Sequence, residues 1–274
     1  MGSASIKMYK ETNELLEKYA SNRTGYVLIH YARQNCFSEI YEKGPRVVSI
    51  VVMNMGNEQM LTFSLLKSSE NYGVDFFSLT DEEKDNVEYK MLESFYECVE
   101  RNKDKTWLHW NMKNNNFGFY AINERYKCLG GTPFAFDDAK LVNISDLLKR
   151  KYGPNFARDC QWKGEEVGKM YDIFSLNKIT DAKILGGEAE IKEYILKNLL
   201  SVEQSVLAKI KALKIIVEKL VNNVLVTRGS VLKDVYGIGV NSIARYIQDN
   251  ATLAILSSVF GGIVANIICK LLGI

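Results

Sequence analysis

The sequence predicts an α/β protein, with a five-stranded mixed sheet in the first part followed by a helical C-terminal region. Three observations carry that prediction. Short apolar runs alternate with amphipathic helical periods up to about residue 152. A long helical stretch separates the third run from the fourth, and a strand reached through such a crossover pairs most easily in parallel. Beyond residue 188, apolar residues recur by threes and fours with no strand-like alternation. Two regions follow, 1–177 for the α/β part and 178–274 for the helical part.

Residues 6–21 carry Ile6, Leu15, Leu16 and Tyr19 among lysines and glutamates, an amphipathic surface helix that ends at Ser21-Asn22. Apolar runs at 26–31, 47–53 and 61–66 make a meander, the last two joined by the turn signal Gly56-Asn57. Thr80 followed three residues later by Glu83 is a capping box. It opens a helix running to about Lys103, with Val87, Met91, Leu92, Phe95 and Val99 on one side. Residues 107–110 give the fourth strand, and 117–129 a helix stopped by Gly130-Gly131 and Pro133. A fifth strand falls at 140–142, before a helix over 144–152 capped by Asn143 or Ser145. The stretch 153–177 reads as a loop-rich connection. Residues 188–226 read as one or two packed helices, with Lys209, Lys211, Lys214 and Lys219 on a solvated face.

Charge and cysteine usage narrow the function classes. With 35 basic and 33 acidic side chains the net charge is only +2, so any nucleic-acid binding has to be local. The five cysteines are scattered and form no CxxC pair, which suggests neither a disulfide framework nor a zinc site. Reduced thiols fit a cytoplasmic location. Met1-Gly2-Ser3-Ala4-Ser5 reads as a cloning remnant rather than a signal peptide, because no apolar core follows Lys7 and Lys10. Gly186-Gly187, Gly229, Gly237 and Gly239 do not form a phosphate-binding GxxxxGK[ST] loop.

Residues 251–269 carry no charge, and about twenty apolar residues suffice to cross a bilayer. Ser257, Gly261 and Ala265 fall four apart, as do Ser258, Gly262 and Asn266, so two ridges of mostly small residues run along one helix face. Thr252, the serines, Asn266 and the glycines lower insertion tendency. Two readings stay open: a buried oligomerisation helix, and a membrane-inserted helix that would place the protein at the inner membrane.

The first strand reads Ile29-His30-Tyr31-Ala32-Arg33, and the fourth Leu108-His109-Trp110-Asn111 with Phe117-Gly118-Phe119 downstream. In element order and in this short motif, residues 24–152 resemble the RNase H-like fold, and in particular its DEDD-type exonuclease branch. The run His109-Trp110-Asn111-Met112 also resembles uncharacterised prokaryotic proteins that carry the same tetrapeptide. The resemblance implies a two-metal nuclease ancestry, but the acidic residues such a site requires are replaced here by His, Tyr, Ala and Gly. Hard divalent ions in phosphodiester chemistry need carboxylate oxygens, so the sheet is expected to be catalytically degenerate.

In the RNase H-like order the first and fourth strands are neighbours, so His30 and His109 are expected to converge. The two-residue period puts Trp107, His109 and Asn111 on one face. Tyr31, Arg33, Asn115 and Arg125 would add a phenol, two guanidinium groups and an amide. Guanidinium groups bind phosphate bidentately, and Trp107 or Trp110 can stack on a base. His30, Tyr31, Arg33, His109, Asn111, Asn115 and Arg125 are therefore the candidate ligand-binding residues, with no metal or cofactor. The expected function is non-catalytic recognition of nucleic acid or nucleotide, coupled to an oligomerising or membrane-active tail. By analogy it belongs to a sensor or effector of prokaryotic stress or antiviral defence. Two alternatives differ in class: a magnesium- or manganese-dependent nuclease with an atypical site, either His/Asn-based or a single-metal site using Asp137, Asp138 or Asp146, and a purely structural homo-oligomeric protein.

Overall fold

The computed structural model describes residues 2–34, 44–113 and 117–229. Cys36, Asn115, Cys269 and the apolar segment 251–269 lie outside them. Helix α1 (Gly2–Ser21) leads into strand β1 (Tyr26–Arg33), followed by β2 (Val47–Asn54) and β3 (Met60–Ser64). Side-chain amides shape the turn between β2 and β3: Asn54 Oδ1 accepts from Gly56 N (2.9 Å) and Asn57 Oδ1 from Gln59 N (3.1 Å). Leu65 and Leu66, read as strand from their apolarity, instead start helix α2 (Leu65–Asn71). Ser64 ends the sheet there by capping Lys67 N at 3.2 Å.

Helix α3 (Asp81–Arg101) begins at the expected capping box, with Glu83 N donating to Thr80 Oγ1 (3.3 Å) and Thr80 N to Glu83 Oε2 (2.8 Å). Its five expected apolar positions are all buried. Then come β4 (Thr106–His109), α4 (Phe119–Cys128), β5 (Leu141–Asn143) and α5 (Ile144–Tyr152), capped by Asn143. The five strands form one mixed sheet in the order β3-β2-β1-β4-β5. β1, β2 and β3 are antiparallel, while β4 runs parallel to β1 and β5 parallel to β4.

The stretch 153–177 is not the loop expected of it. It holds a hairpin, β6 (Cys160–Trp162) with β7 (Glu165–Val167), and helix α6 (Lys169–Leu176). The hairpin turns through Lys163 and Gly164, both at positive φ (51° and 88°), the geometry that matches the twist of the flanking strands. Strands of three residues are too short to show a period in sequence.

The described residues of the second part, 178–229, are helical where they are regular, as expected. Helices α7 (Gly187–Ile195) and α8 (Leu199–Val221) are separated at Lys197, which has a left-handed backbone, and Asn198 caps α8 through Ser201 N (3.2 Å). α8 lies on β1 and β2, so residues 199–221 share the core of the sheet instead of standing apart from it. Its face of the sheet is fixed by Glu203, which accepts a hydrogen bond from Ser64 Oγ. α3 and α4 cover the opposite face, where Phe95 meets Phe63 edge-on at 5.7 Å and Phe119 meets His109 at 5.4 Å. α1 packs on α5 and α8, and Tyr19 Oη donates to Glu218 at 2.8 Å.

One carboxylate knits the α3 and α4 layer to the sheet. Glu88 of α3 is 0 % exposed. It accepts from Val47 N at the start of β2 (2.8 Å), from Arg125 Nε (2.9 Å) and Nη2 (2.6 Å) on α4, and from Arg46 Nη1 (3.2 Å). Asp85, one turn earlier, shares both arginines. Removing one partner of such a group strands the other charges away from water. Glu88→Gln is expected to lower unfolding free energy by about 3–5 kcal/mol, read as a shifted midpoint at unchanged slope in urea titration.

Candidate functional site

The carboxyl ends of the parallel strands β1, β4 and β5 open into a cavity of about 580 Å³. In open α/β sheets this edge is where ligands are held, because the loops leaving the strands diverge there. β1 contributes His30, Tyr31, Ala32 and Arg33, and the segment after β4 contributes Trp110, Asn111 and Phe117. Ser145, Asp146 and Lys149 of α5 form a third wall. The rest comes from the second part of the chain: Phe156, Asp159, the first turn of α6 from Gly168 to Tyr171, Gly187 and Glu190 of α7, and Lys209 of α8.

Four of the seven residues expected to form a site therefore line this cavity: His30, Tyr31, Arg33 and Asn111. Tyr31 is also structural, since its hydroxyl accepts from Gly118 N (2.8 Å) and its ring stacks on Phe117 at 4.5 Å. Asn115 falls outside the described residues. The two histidines do not converge. The register sets Ile29 opposite His109, so His30 points to the other face of the sheet. His109 is 0 % exposed among the aromatic residues under α4, and its Nδ1 accepts from Met112 N at 3.1 Å. Arg125 is not a free phosphate fork either, because it is committed to Glu88 and Asp85.

The expected shared face holds for Trp107 and His109, which meet the same Phe119 and Phe136 cluster, but not for Asn111, for a local reason. β4 stops at His109, and Asn111 adopts a left-handed backbone (φ 51°) that breaks the alternation. Asn143 holds that conformation: its Oδ1 accepts from Asn111 N (3.0 Å) and its Nδ2 donates to Asn111 Oδ1 (3.0 Å) and Asp146 Oδ2 (3.1 Å). Trp107 turns toward Phe136 at 5.6 Å, leaving Trp110 as the tryptophan on the cavity.

The floor of the cavity is a buried ion pair that the sequence did not announce. Lys209, read there as a solvated surface lysine, is 2 % exposed and donates to Glu190 Oε1 at 2.7 Å. Ser205 Oγ donates to the same oxygen (2.7 Å) and accepts from Leu185 N (3.0 Å). Burial alone would depress the Lys209 ammonium, but the Glu190 carboxylate and then the Tyr171 hydroxyl more than offset that, and its pKa stays above the ordinary lysine value. A lysine facing inward at a heptad-like position carries no mark in sequence; only the acid on α7 explains it.

His30 is 5 % exposed, and its Nδ1 has no hydrogen-bond partner. Burial first, and then the nearby Lys209 charge, push its pKa down to about 3. His109 is likewise lowered to about 3, by burial and then by Lys113. Asp137 and Asp138 precede β5, whereas Asp146 follows it, so the three acids considered for a metal lie at opposite ends of a strand about 10 Å long. Among the described residues, no group of three or more His, Cys, Asp or Glu side chains is placed to hold a metal ion.

The chain has only two histidines, so their titration can be read directly. In the folded state both stay neutral well below 6.5, while in the unfolded chain they take up protons near that value. As pH falls from about 6.5 toward 3, each therefore favours unfolding by about 1.4 kcal/mol per pH unit, and stability rises with pH across that window. NMR of the imidazole Cε1 protons should show two resonances with no inflection between pH 5 and 8. A midpoint near 6.5 for His30 would mean that its ring is solvated.

Among the described residues no helix is long and apolar enough to cross a membrane. Comparison of the chain with protein-family models, with curated proteins and with solved structures returns no match.

Proposed function

We propose that the chain is a recognition module whose cavity takes a nucleotide or a short piece of nucleic acid without cleaving it, and whose C-terminal segment turns occupancy into assembly or membrane action. One observation carries this reading. The cavity at the carboxyl edge of the sheet is floored by Lys209, which belongs to α8, the last long described helix before the C-terminal segment. A volume of about 580 Å³ lies within the range of small-molecule and cofactor sites. The half-buried Phe117 offers ring surface, and Arg33, Lys149 and Lys169 offer positive charge.

The RNase H-like reading is supported by the strand order, with an antiparallel β3-β2-β1 meander joined to the parallel β1-β4-β5 half. Recognition is favoured over cleavage by what His30 is. An imidazole with its pKa near 3 is a poor proton shuttle at neutral pH, because general acid–base groups work best near the operating pH. A cytoplasmic sensor or effector in prokaryotic stress or antiviral defence is the setting this activity would suit, by analogy alone.

The experiment compares the full-length chain with a version ending at Asn250. Mass in solution and liposome binding are measured with and without the four ribonucleoside monophosphates and short single-stranded oligonucleotides. The reading expects both versions to bind the same probe within about threefold, and only the full-length chain to change mass or lipid association on binding. Loss of labelled RNA or DNA that depends on magnesium or manganese would favour a nuclease. A mass indifferent to every probe would favour a structural oligomer.

A further inference from the structure

The two edges of the five-stranded sheet are defended unequally. A strand edge exposes a row of backbone N–H and C=O groups, and proteins blunt it by brevity, charge, proline or a bulge. β5 is blunted by brevity: it has three residues, follows Lys140, and ends at Asn143, whose side chain is committed to Asn111, Ser145 and Asp146. β3, at the other edge, lacks such devices. It is the uncharged run Met60-Leu61-Thr62-Phe63-Ser64, without proline, and its register against β2 is unbroken. Among the described residues no strand pairs with its outer side, and it packs mainly on β2, on α3 and on the α2 that continues from it. Leu61 is 42 % exposed there.

Hydrogen-bond alternation tells which backbone groups of β3 face outward. At the turn, Asn54 N donates to Gln59 O (2.9 Å) and Glu58 N donates to Asn54 O (2.8 Å), so Asn54 sits in a bonded pair. Bonded and non-bonded pairs alternate along an antiparallel ladder. The register then makes Val52 with Leu61 and Ile50 with Phe63 the bonded pairs, and Met60 and Thr62 turn their N–H and C=O away from β2. The bond from Met55 N to Tyr26 O (3.0 Å), on the other side of β2, keeps the same phase. A second β3, laid antiparallel about a two-fold axis at Thr62, matches this pattern with itself: the two Thr62 residues exchange both backbone bonds. Leu61 shares a face with Phe63, which meets Phe95 of α3, so each copy's exposed Leu61 falls opposite the other copy's Phe63 as an aliphatic–aromatic cross-strand pair. Charge agrees with this direction. Glu58 precedes the strand and the exposed Lys67 follows it, so antiparallel pairing sets each copy's Lys67 toward the other's Glu58, which also holds Lys214 of α8 at 2.8 Å. Parallel pairing would bring like charges together. Because β5 offers no comparable template, the contact is between identical surfaces and closes at two copies instead of continuing as a fibre. We infer that β3 is a homodimer interface, in which two copies of this chain join their sheets through antiparallel pairing centred on Thr62. β3 contributes no residue to the cavity, so the inference stands apart from the recognition reading.

The test measures the mass of the full-length protein by sedimentation for the parent, Thr62→Lys, Thr62→Glu and an equimolar mixture of the two variants, with melting temperatures checked against the parent. Thr62 lies opposite its own copy, so like charges there separate the two chains and unlike charges reunite them. The inference expects each variant alone to sediment at half the parent mass, with the dissociation constant raised by about tenfold or more, and the mixture to recover the parent mass. Thr62→Pro is measured alongside: the N–H it removes faces away from β2, so the hairpin is kept while the pairing loses a donor, and its mass is expected to halve as well. A parent that sediments as a monomer overturns the inference. So do folded variants that keep the parent mass, the result expected if copies associate only through the C-terminal segment. A mixture that stays at half mass overturns the pairing of Thr62 with itself.

Discussion

Strand β1 is buried on both faces, and most of the architecture answers to that constraint. It sits where the sheet changes from antiparallel to parallel, with β2 on one side and β4 on the other. A strand of this kind needs a layer on each face, which is why it reads as a continuous apolar run rather than an alternating one. The α3 and α4 layer is supplied locally, by the crossover and the helix after β4. The other face is covered mainly by α8, from far along the chain. The helical part is therefore needed to complete the core, and whatever follows α8 is anchored to the sheet through it.

The same constraint explains the buried lysine. α8 crosses β1 and β2, and Lys209 approaches the carboxyl edge near His30. An ammonium in that position needs a partner that moves with it, and Glu190 on the preceding helix provides one while Ser205 holds the carboxylate in place. Sheet edge, α7 and α8 are thus joined by one polar cluster at the base of the cavity. Asn111 shows the corresponding arrangement on the opposite wall, where an unfavourable backbone angle is held by reciprocal amide bonds to Asn143.

Much of the scaffold was legible in the sequence, because its signals are local. The capping box at Thr80, the Asn-rich turn after β2 and the three-and-four spacing of α8 each depend on neighbours within a few residues. The site was legible only in part. His30 lines the cavity, as its place at a strand end suggested, but the expected convergence with His109 does not occur, since only the pairing register says which side a residue takes. Lys209, Lys149 and Lys169 were not placed at the cavity for a different reason. Nothing in a sequence distinguishes a lysine on a helix surface from one at a cavity, until the helices that converge there are known. Segment 153–177 supplied α6 and the hairpin from elements too short to show periodicity.

In the proposed reading, the difference between a ligand-holding domain and a sensor is energetic. A ligand shifts an equilibrium only by its differential affinity for the two states, however tightly it binds. Moving a population from 1:99 to 99:1 takes a preference of about 10⁴-fold, or about 5.5 kcal/mol. A few contacts to exposed lysines at the cavity rim do not supply that, because exposed charge pairs are worth about 1 kcal/mol or less each. The floor of the cavity can. Lys209 and Glu190 are desolvated, and a ligand drawing on the Lys209 charge would alter an interaction between α7 and α8 whose rupture costs about 3–5 kcal/mol. Contacts at the rim would then set affinity, and the buried pair would set how much of the binding energy reaches α8.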